Sequence, residues 1–382
     1  MIYLDAAATT PVRREALEAM WPLLTTDYGN PSSSHTVGES AARALDYARR
    51  LVARELNCKP NDVVFTSGGT EADNLAIKGI SLARPKGKHI VASAIEHPAV
   101  LETLDYLQRF HGFRISLLPV TAEGLVEEAT LRAVLTEETT LCTIMYANNE
   151  VGTVQSIPAL ASICREQGVP FHTDAVQAAG WLPLDSAELG VDALSISGHK
   201  LGAPKGCGVL FIRSRLPLEP LVHGGGQERG KRSGTENVAG AVAMATALKL
   251  AQQERTANTA ASILRRDHLI SAVLKGVEGA LLTGHREQRL PNIASFCFPG
   301  ASGEAILLEL ERAGVVTSSG SACAAGASEP SAVLLALGLG PDIAQTALRL
   351  SWTAATSDAE IALAGRAVVA SVRSIQSLGS RT

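Results

Sequence analysis

Between about residues 40 and 200, short apolar runs alternate with stretches of helical period. The runs 62–66, 89–95, 113–120, 141–147, 169–173 and 193–197 are apolar nearly throughout, with no strict in–out alternation. A strand that is apolar on both faces must be covered on both faces, and the intervening helices are the covers. The pattern predicts an α/β fold with a mostly parallel sheet flanked by helices. Helices are predicted over 38–57 and 71–83, and another from Pro98, a residue favoured in a first helical turn. In such sheets ligands bind beyond the carboxyl ends of the strands, so chemistry is expected there.

The pattern changes after about residue 257. A helix is predicted over 258–279, a strand over 292–298 and a helix over 303–313. A loop of small residues follows at 317–330, then a strand at 348–352. The last helix opens on a capping box, Ser357 with Glu360. The expected organisation is a large domain over 11–257 and a smaller α+β domain. The smaller one combines 1–10 with 258–382 and carries the loop 317–330.

Composition narrows the function. With 46% hydrophobic residues the chain can build a large core, so extended disorder is excluded. A net charge of −4 and an aromatic content of 4% give neither the basic face nor the stacking platforms of a nucleic-acid binder. No apolar run approaches the ~18 residues that cross a membrane, and the start has no basic, apolar leader. The six cysteines form no C-x-x-C pair, which argues against a zinc ribbon, a disulfide scaffold or any resident metal. A reducing cytoplasm is the expected setting.

The strand ends carry the chemistry-bearing residues. The run 62–66 leads into Ser67-Gly68-Gly69-Thr70-Glu71, where glycines and a helix start can close on a phosphate; a plain tight turn is the alternative. The run 89–95 ends at Glu96-His97, an imidazole suited to proton transfer or to stacking on a flat ring. The run 141–147 ends at Asn148-Asn149-Glu150, whose amides can bind a carboxylate. The run 169–173 ends at Asp174, followed by Gln177; an acid there needs a donor or cation, such as a pyridinium N–H. The run 193–197 ends at Ser197-Gly198-His199-Lys200, where a desolvated lysine can condense with an aldehyde. Each feature has an ordinary structural reading when taken alone. Together they supply a phosphate cradle, a ring-stacking imidazole, an acid, an amide and a lysine on successive strand ends, the set that pyridoxal 5′-phosphate (PLP) requires.

Specific motifs also carry a resemblance. They are DAAATTP (5–11), Gly29-Asn30-Pro31, FTSGGTEADN (65–74), Glu96-His97, Asn148-Asn149-Glu150, Asp174 with Gln177 and Ser197 to Lys200. His223-Gly224-Gly225-Gly226 running on to Arg232-Ser233-Gly234-Thr235, and Ser318 to Cys323, complete the set. With these the chain resembles the NifS/IscS-type cysteine desulfurases, class V PLP enzymes of fold-type I, from Tyr3 to Arg349. The resemblance implies that Lys200 bonds the cofactor aldehyde, Asp174 pairs with the ring nitrogen and Gln177 with the ring oxygen. His97 lies over the ring. Gly69, Thr70, Ser197 and His199 hold the phosphate, and Thr235 reaches the phosphate of a partner subunit in a homodimer. Asn149 and Arg349 bind the substrate carboxylate.

Cys323 lies in a loop of Ser, Gly, Ala and Thr with no large apolar neighbour, unlike a cysteine packed as a small hydrophobe. The resemblance makes it the sulfur acceptor: L-cysteine gives L-alanine and a persulfide on Cys323, passed to an acceptor protein. That acceptor stays open among iron–sulfur assembly, tRNA or cofactor thiolation and DNA phosphorothioation. The alternatives on the same scaffold are a selenocysteine lyase and a class V aminotransferase. A non-catalytic sulfur relay would leave Lys200 and Asp174 idle. One departure is visible, the alanines at 6–8 where relatives often carry His or Tyr.

Overall fold

The structure, a computed structural model, describes residues 1–83, 85–320 and 329–379. Strand β1 (Ile2–Tyr3) is followed by helices α1 (Arg14–Thr25) and α2 (Thr36–Glu55). Strands and helices then alternate: β2 (Val63–Thr66), α3 (Gly69–Ala83), β3 (His89–Ser93), α4 (Pro98–His111), β4 (Arg114–Leu118) and α5 (Glu128–Val134). The series continues with β5 (Thr139–Thr143), α6 (Ile157–Glu166), β6 (Phe171–Asp174), α7 (Ser186–Leu189) and β7 (Ala193–Ser197). Next come β8 (Gly208–Ile212), α8 (Val238–Gly276), β9 (Leu281–Leu282), β10 (Ile293–Cys297) and α9 (Gly303–Arg312). The chain closes with β11 (Val315–Val316), α10 (Ala332–Ala336), α11 (Pro341–Ala344), β12 (Ala347–Ser351) and α12 (Asp358–Gly379).

Seven strands form the main sheet in the order β2-β8-β7-β6-β5-β3-β4. The pairs from β7 to β4 are parallel, whereas β8 runs antiparallel to both β2 and β7. Strands β3, β5, β6, β7 and β8 are buried along their whole length, the burial that continuous apolar runs demand. A three-stranded antiparallel sheet, β12-β10-β9, and the parallel pair β1-β11 make up the rest.

Two features of the parallel sheet set up the site. Helix α4 starts at Pro98 because His97 caps it, its Nδ1 accepting the Ala99 N–H at 3.0 Å. Strand β7 ends at Ser197, as its apolar run predicts, and residues 198–200 turn through a single 3-10 turn. The capping box of α12 is also present, with Ser357 N–H on Glu360 Oε2 at 2.7 Å and Glu360 N–H on Ser357 Oγ at 3.3 Å.

Elsewhere the outcome differs from the sequence pattern. β5 stops at Thr143, four residues short, because pairing with β3 ends there. Buried residues 144–147 still bond to the β6 side, with Tyr146 N–H on Asp174 O at 2.8 Å, so the apolar run outlasts the strand. Helix α8 starts at Val238, twenty residues before the expected 258, and passes unbroken through 257. Its first turns are small apolar residues buried on nearly every side, so they show no amphipathic stripe. Val238 to Ala251 pack with the main-sheet core; Leu269, Ile270 and Val273 pack with Phe296, Phe298, Leu348, Leu350 and Trp352.

Candidate active site

Directly beyond β2 the 15-residue helix α3 begins at Gly69. Its free N–H groups and dipole give this end positive potential. A Cβ on Gly69 would lie 2.9 Å from Val176 Cγ2 and 3.3 Å from Ser197 Cβ, so only glycine lets the helix end approach the tips of β6 and β7. Thr70 follows in the first turn and is exposed, while Ser197 is buried. His199 shares a hydrogen bond with Thr9 Oγ1 at 3.1 Å. Burial, reinforced by Lys200 and Lys205, pushes His199 down to about 4, which leaves a neutral imidazole with one N–H to offer.

The next groups meet across the ends of β3, β6 and β7. Asp174 is buried at the tip of β6 and accepts the Val176 N–H at 2.8 Å. Burial raises its carboxyl above the ordinary range, against the Val176 N–H and the fields of His97 and Lys200. His97 is held below its ordinary value by burial, with Asp174 pulling it up and Lys200 pushing it down. These three groups therefore face one another. Lys200 Nζ donates to Ala8 O at 2.7 Å and to Ala7 O, and Gln177 Nε2 donates to the same Ala7 O at 3.0 Å. Lysine and glutamine thus lean on one strap, residues 5–8. A cavity of about 460 Å³ opens beside them, lined by Ala6, Gln177, Lys200, Asn292 and Trp352 among others.

Arg349 lies on β12 with its side chain 3% exposed. Its Nη2 meets Asp5 Oδ1 at 2.7 Å, and its Nη1 donates to Asn149 O at 2.8 Å and to Gly320 O at 3.4 Å. Its Nε is buried with no hydrogen-bond partner, a donor suited to one oxygen of a carboxylate. The structure thus brings together Gly69 with Ser197, His97 with Asp174 and Lys200, Lys200 with Gln177, and Arg349 with Asn149. Thr235 stands apart; it is exposed and lines a separate cavity of about 210 Å³ with Ser67, Gly206 and Arg232. Cys323 lies outside the described residues.

The donor set fits PLP. Gly69 and Ser197 leave a tight, positive-ended cradle for a phosphate. Asp174 is a buried carboxyl whose hydrogen bond to the Val176 N–H leaves it able to receive a ring N–H. Among the described residues, no group of His, Cys, Asp and Glu has the arrangement of a metal site, and no helix is long and apolar enough to cross a membrane. Sequence reasoning missed the residues that hold these groups in place. Asp5 balances Arg349, and Ser351 Oγ accepts the Ala7 N–H at 2.8 Å. Asp73 and His172 lie buried beneath Asp174. The available signal was polar residues inside otherwise apolar elements: His172 in FHTD, Ser351 in ALRLS and Asp73 on the inner face of α3.

Comparison with known proteins is consistent with this geometry. The model of the family described as aminotransferase class-V matches residues 2–363. The cysteine desulfurase IscS of Dictyoglomus turgidum is 46% identical over 92% of this chain and 89% of its own length. A solved NifS-like protein, 35% identical, superposes with a TM-score of 0.89 over 100% of both chains. A solved structure of SspA in complex with cysteine, 33% identical, gives a TM-score of 0.82 over 92% of this chain and 98% of that one. Extensive identity, a full-length superposition and a pocket built for the same coenzyme lead to one conclusion: the chain belongs to the cysteine desulfurases of the class-V aminotransferase family, which are PLP-dependent enzymes.

Proposed function

We propose that this chain converts L-cysteine to L-alanine and takes the sulfur onto Cys323 as a persulfide, for delivery to an acceptor protein. The observation that carries the reading is the placement of Arg349. One guanidinium touches the Asn149 carbonyl and the Gly320 carbonyl and keeps a free, buried Nε. Cys323 follows Gly320 by three residues in the sequence, so the carbonyl that Arg349 holds belongs to the segment that leads to the thiol along the chain.

PLP, when bound, supplies an aldehyde that condenses with amines and a ring that accepts the electron pair released at the substrate Cα. Gly69, Thr70, Ser197 and His199 would hold its phosphate, Asp174 its ring nitrogen and Gln177 its ring oxygen. The residues of the chain do the rest. Arg349 and Asn149 fix the substrate carboxylate, which sets the Cα–H bond toward Lys200. Lys200, released as a free amine, takes the Cα proton. Its Nζ rests on the Ala7 and Ala8 carbonyls, which fix the position from which it works. His97, neutral because it is buried, passes protons to and from the substrate side. The Cys323 thiolate attacks the substrate sulfur; the Cβ–S bond breaks as the S–S bond forms, and the carbon product leaves as alanine. Cysteine plus thiol gives alanine plus persulfide, so atoms and electrons balance with no outside oxidant.

A selenocysteine lyase reading shares most of these groups. A class V transamination needs no thiol in the loop 317–330. The reading also takes 11–257 as the large domain and 1–10 with 258–382 as the small one, Thr235 as a residue that completes a partner's site in a homodimer, and a reducing cytoplasm as the setting. The acceptor class stays open. The deciding experiment is Cys323→Ala in the full-length holoenzyme. The variant should retain its yellow cofactor and its spectral response to L-cysteine, yet form no persulfide and under one-hundredth of the parent's alanine. Undiminished alanine formation would refute the role of the thiol.

A further inference from the structure

Glu96 sits between β3 and the His97 cap and is 2% exposed. Its Oε1 accepts the Ser93 hydroxyl at 2.5 Å and the Met145 N–H at 2.8 Å. Its Oε2 is buried with no hydrogen-bond partner. A second stitch lies alongside, with Asn148 Nδ2 on Ile95 O at 3.0 Å and Asn148 Oδ1 accepting the N–H groups of Glu150 and Val151, each at 2.9 Å. Residues 95–97 and 145–151 are therefore joined by Glu96 and Asn148, and these are the segments that present His97 and Asn149.

The groups facing Glu96 are acidic or neutral: Asp174 from the end of β6, Asp73 from α3 and the Cys142 thiol from β5. No Lys or Arg forms an ion pair with it among the described residues. A buried carboxylate with acids for neighbours and no cation is costly, and protonation removes the cost.

We propose that Glu96 is a positioning residue that works as a neutral carboxylic acid, fixing His97 relative to Asn149, and that its ionisation on the alkaline side places an uncompensated negative charge beneath the site and switches the site off. The part of this proposal that concerns activity rests on the desulfurase reading; the part that concerns the proton does not. Burial pushes the carboxyl up to about 8, with Asp174 adding to the shift and the Ser93 and Met145 donors opposing it. The folded protein then keeps a proton that the unfolded chain releases near its ordinary value of 4.5, so stability falls as pH rises from there to about 8 and levels off above it.

The test uses the full-length holoenzyme and its E96Q and S93A variants. Gln keeps the acceptor for Ser93 and Met145 and replaces the proton with a permanent N–H. The melting temperature of E96Q relative to the parent should climb from about pH 5 to about pH 8 and then stay level. In alanine formation the parent should lose about tenfold between pH 7 and pH 9 beyond any loss seen in E96Q, the fall expected of a group half-ionised near 8. S93A, which removes a donor that favours the ionised form, should move the parent's alkaline midpoint upward. A melting-temperature difference that is flat across this range, an identical alkaline limb in E96Q, or a downward shift in S93A would each overturn the proposal. Should the parent make no alanine at any pH, the desulfurase reading fails, and the melting-temperature series still decides the protonation of Glu96.

Discussion

Arg349 and Asp5 form an ion pair at 2.7 Å although 344 residues separate them. The pair and the neighbouring bond from Ala7 N–H to Ser351 Oγ fasten the strap 5–8 onto β12. Because Ala7 and Ala8 receive the Lys200 amine, the strand that carries Arg349 also positions the segment on which the lysine rests.

Arg349→Lys should separate binding from chemistry. A point-charge ammonium cannot serve Asp5, the Asn149 and Gly320 carbonyls and a substrate carboxylate together. KM for L-cysteine should rise at least tenfold with a much smaller change in kcat, measured by steady-state alanine release. Asp5→Asn leaves the buried guanidinium short of its counter-charge. Since Asp5 is partly exposed, the expected loss of stability is about 2 kcal/mol, below the range for fully buried pairs.

Lys200→Ala removes both the proposed covalent attachment and the proposed base. Borohydride treatment should no longer fix the cofactor to the chain, as judged by mass spectrometry. Alanine formation should fall by about 10²–10⁴-fold, the usual contribution of a positioned base.

His172 and Asp73 make a pair whose pH responses oppose each other. His172 is bonded to Thr143 Oγ1 at 2.8 Å and to Ser195 Oγ at 3.0 Å, with Asp73 Oδ1 at 3.7 Å. Burial pushes the imidazole down to about 3, and burial followed by the field of Asp174 pushes Asp73 well up. A depressed histidine gives stability above ~6.5 that is lost as pH falls; a raised aspartate gives stability below ~3.9 that is lost as pH rises. Where the buried Asp73 keeps its proton above ~3.9, the folded pair holds one proton on Asp73 and the unfolded pair one on His172, so the two slopes oppose each other. Asp73→Asn exposes the histidine's slope. Its stability relative to the parent should rise by about 1.4 kcal/mol per pH unit between about pH 4 and 6.5 in denaturant titrations. A constant difference would mean that Asp73 is ionised in the folded protein.

Glu228→Ala tests the loop that carries Thr235. Glu228 (φ +49) and Arg229 (φ +59) hold left-handed backbone that non-glycine residues rarely adopt. Glu228 stays there because both its oxygens meet Arg49, at 2.6 and 2.7 Å, and Oε2 also takes the Phe65 N–H at 3.1 Å. Removing it strands the buried Arg49 charge, and urea unfolding should show a loss of about 3–5 kcal/mol.

The sequence was most legible where a local rule and the fold agreed. The run 193–197 coincides with β7 because a strand apolar on both faces is covered on both faces, and α4 begins at Pro98 because its cap and first-turn residue are both local signals. It was least legible where a partner lies far along the chain. Nothing in 208–212 announces an antiparallel strand between β2 and β7, and nothing in DAAATTP announces that Asp5 will meet Arg349. Glu96 was visible as part of a motif, but its lack of a cation could be seen only once β6, α3 and β5 were packed around it.

By itself the sequence determined a covered parallel sheet, the strand ends as the place for chemistry, and the residue types a PLP pocket needs. These follow from apolar periodicity and side-chain chemistry, which are properties of short segments. Tertiary structure alone decided which charges meet which, and therefore which acids are buried beneath the site without a cation. That outcome depends on desolvation and on distances between segments hundreds of residues apart, and neither quantity exists until the chain has folded.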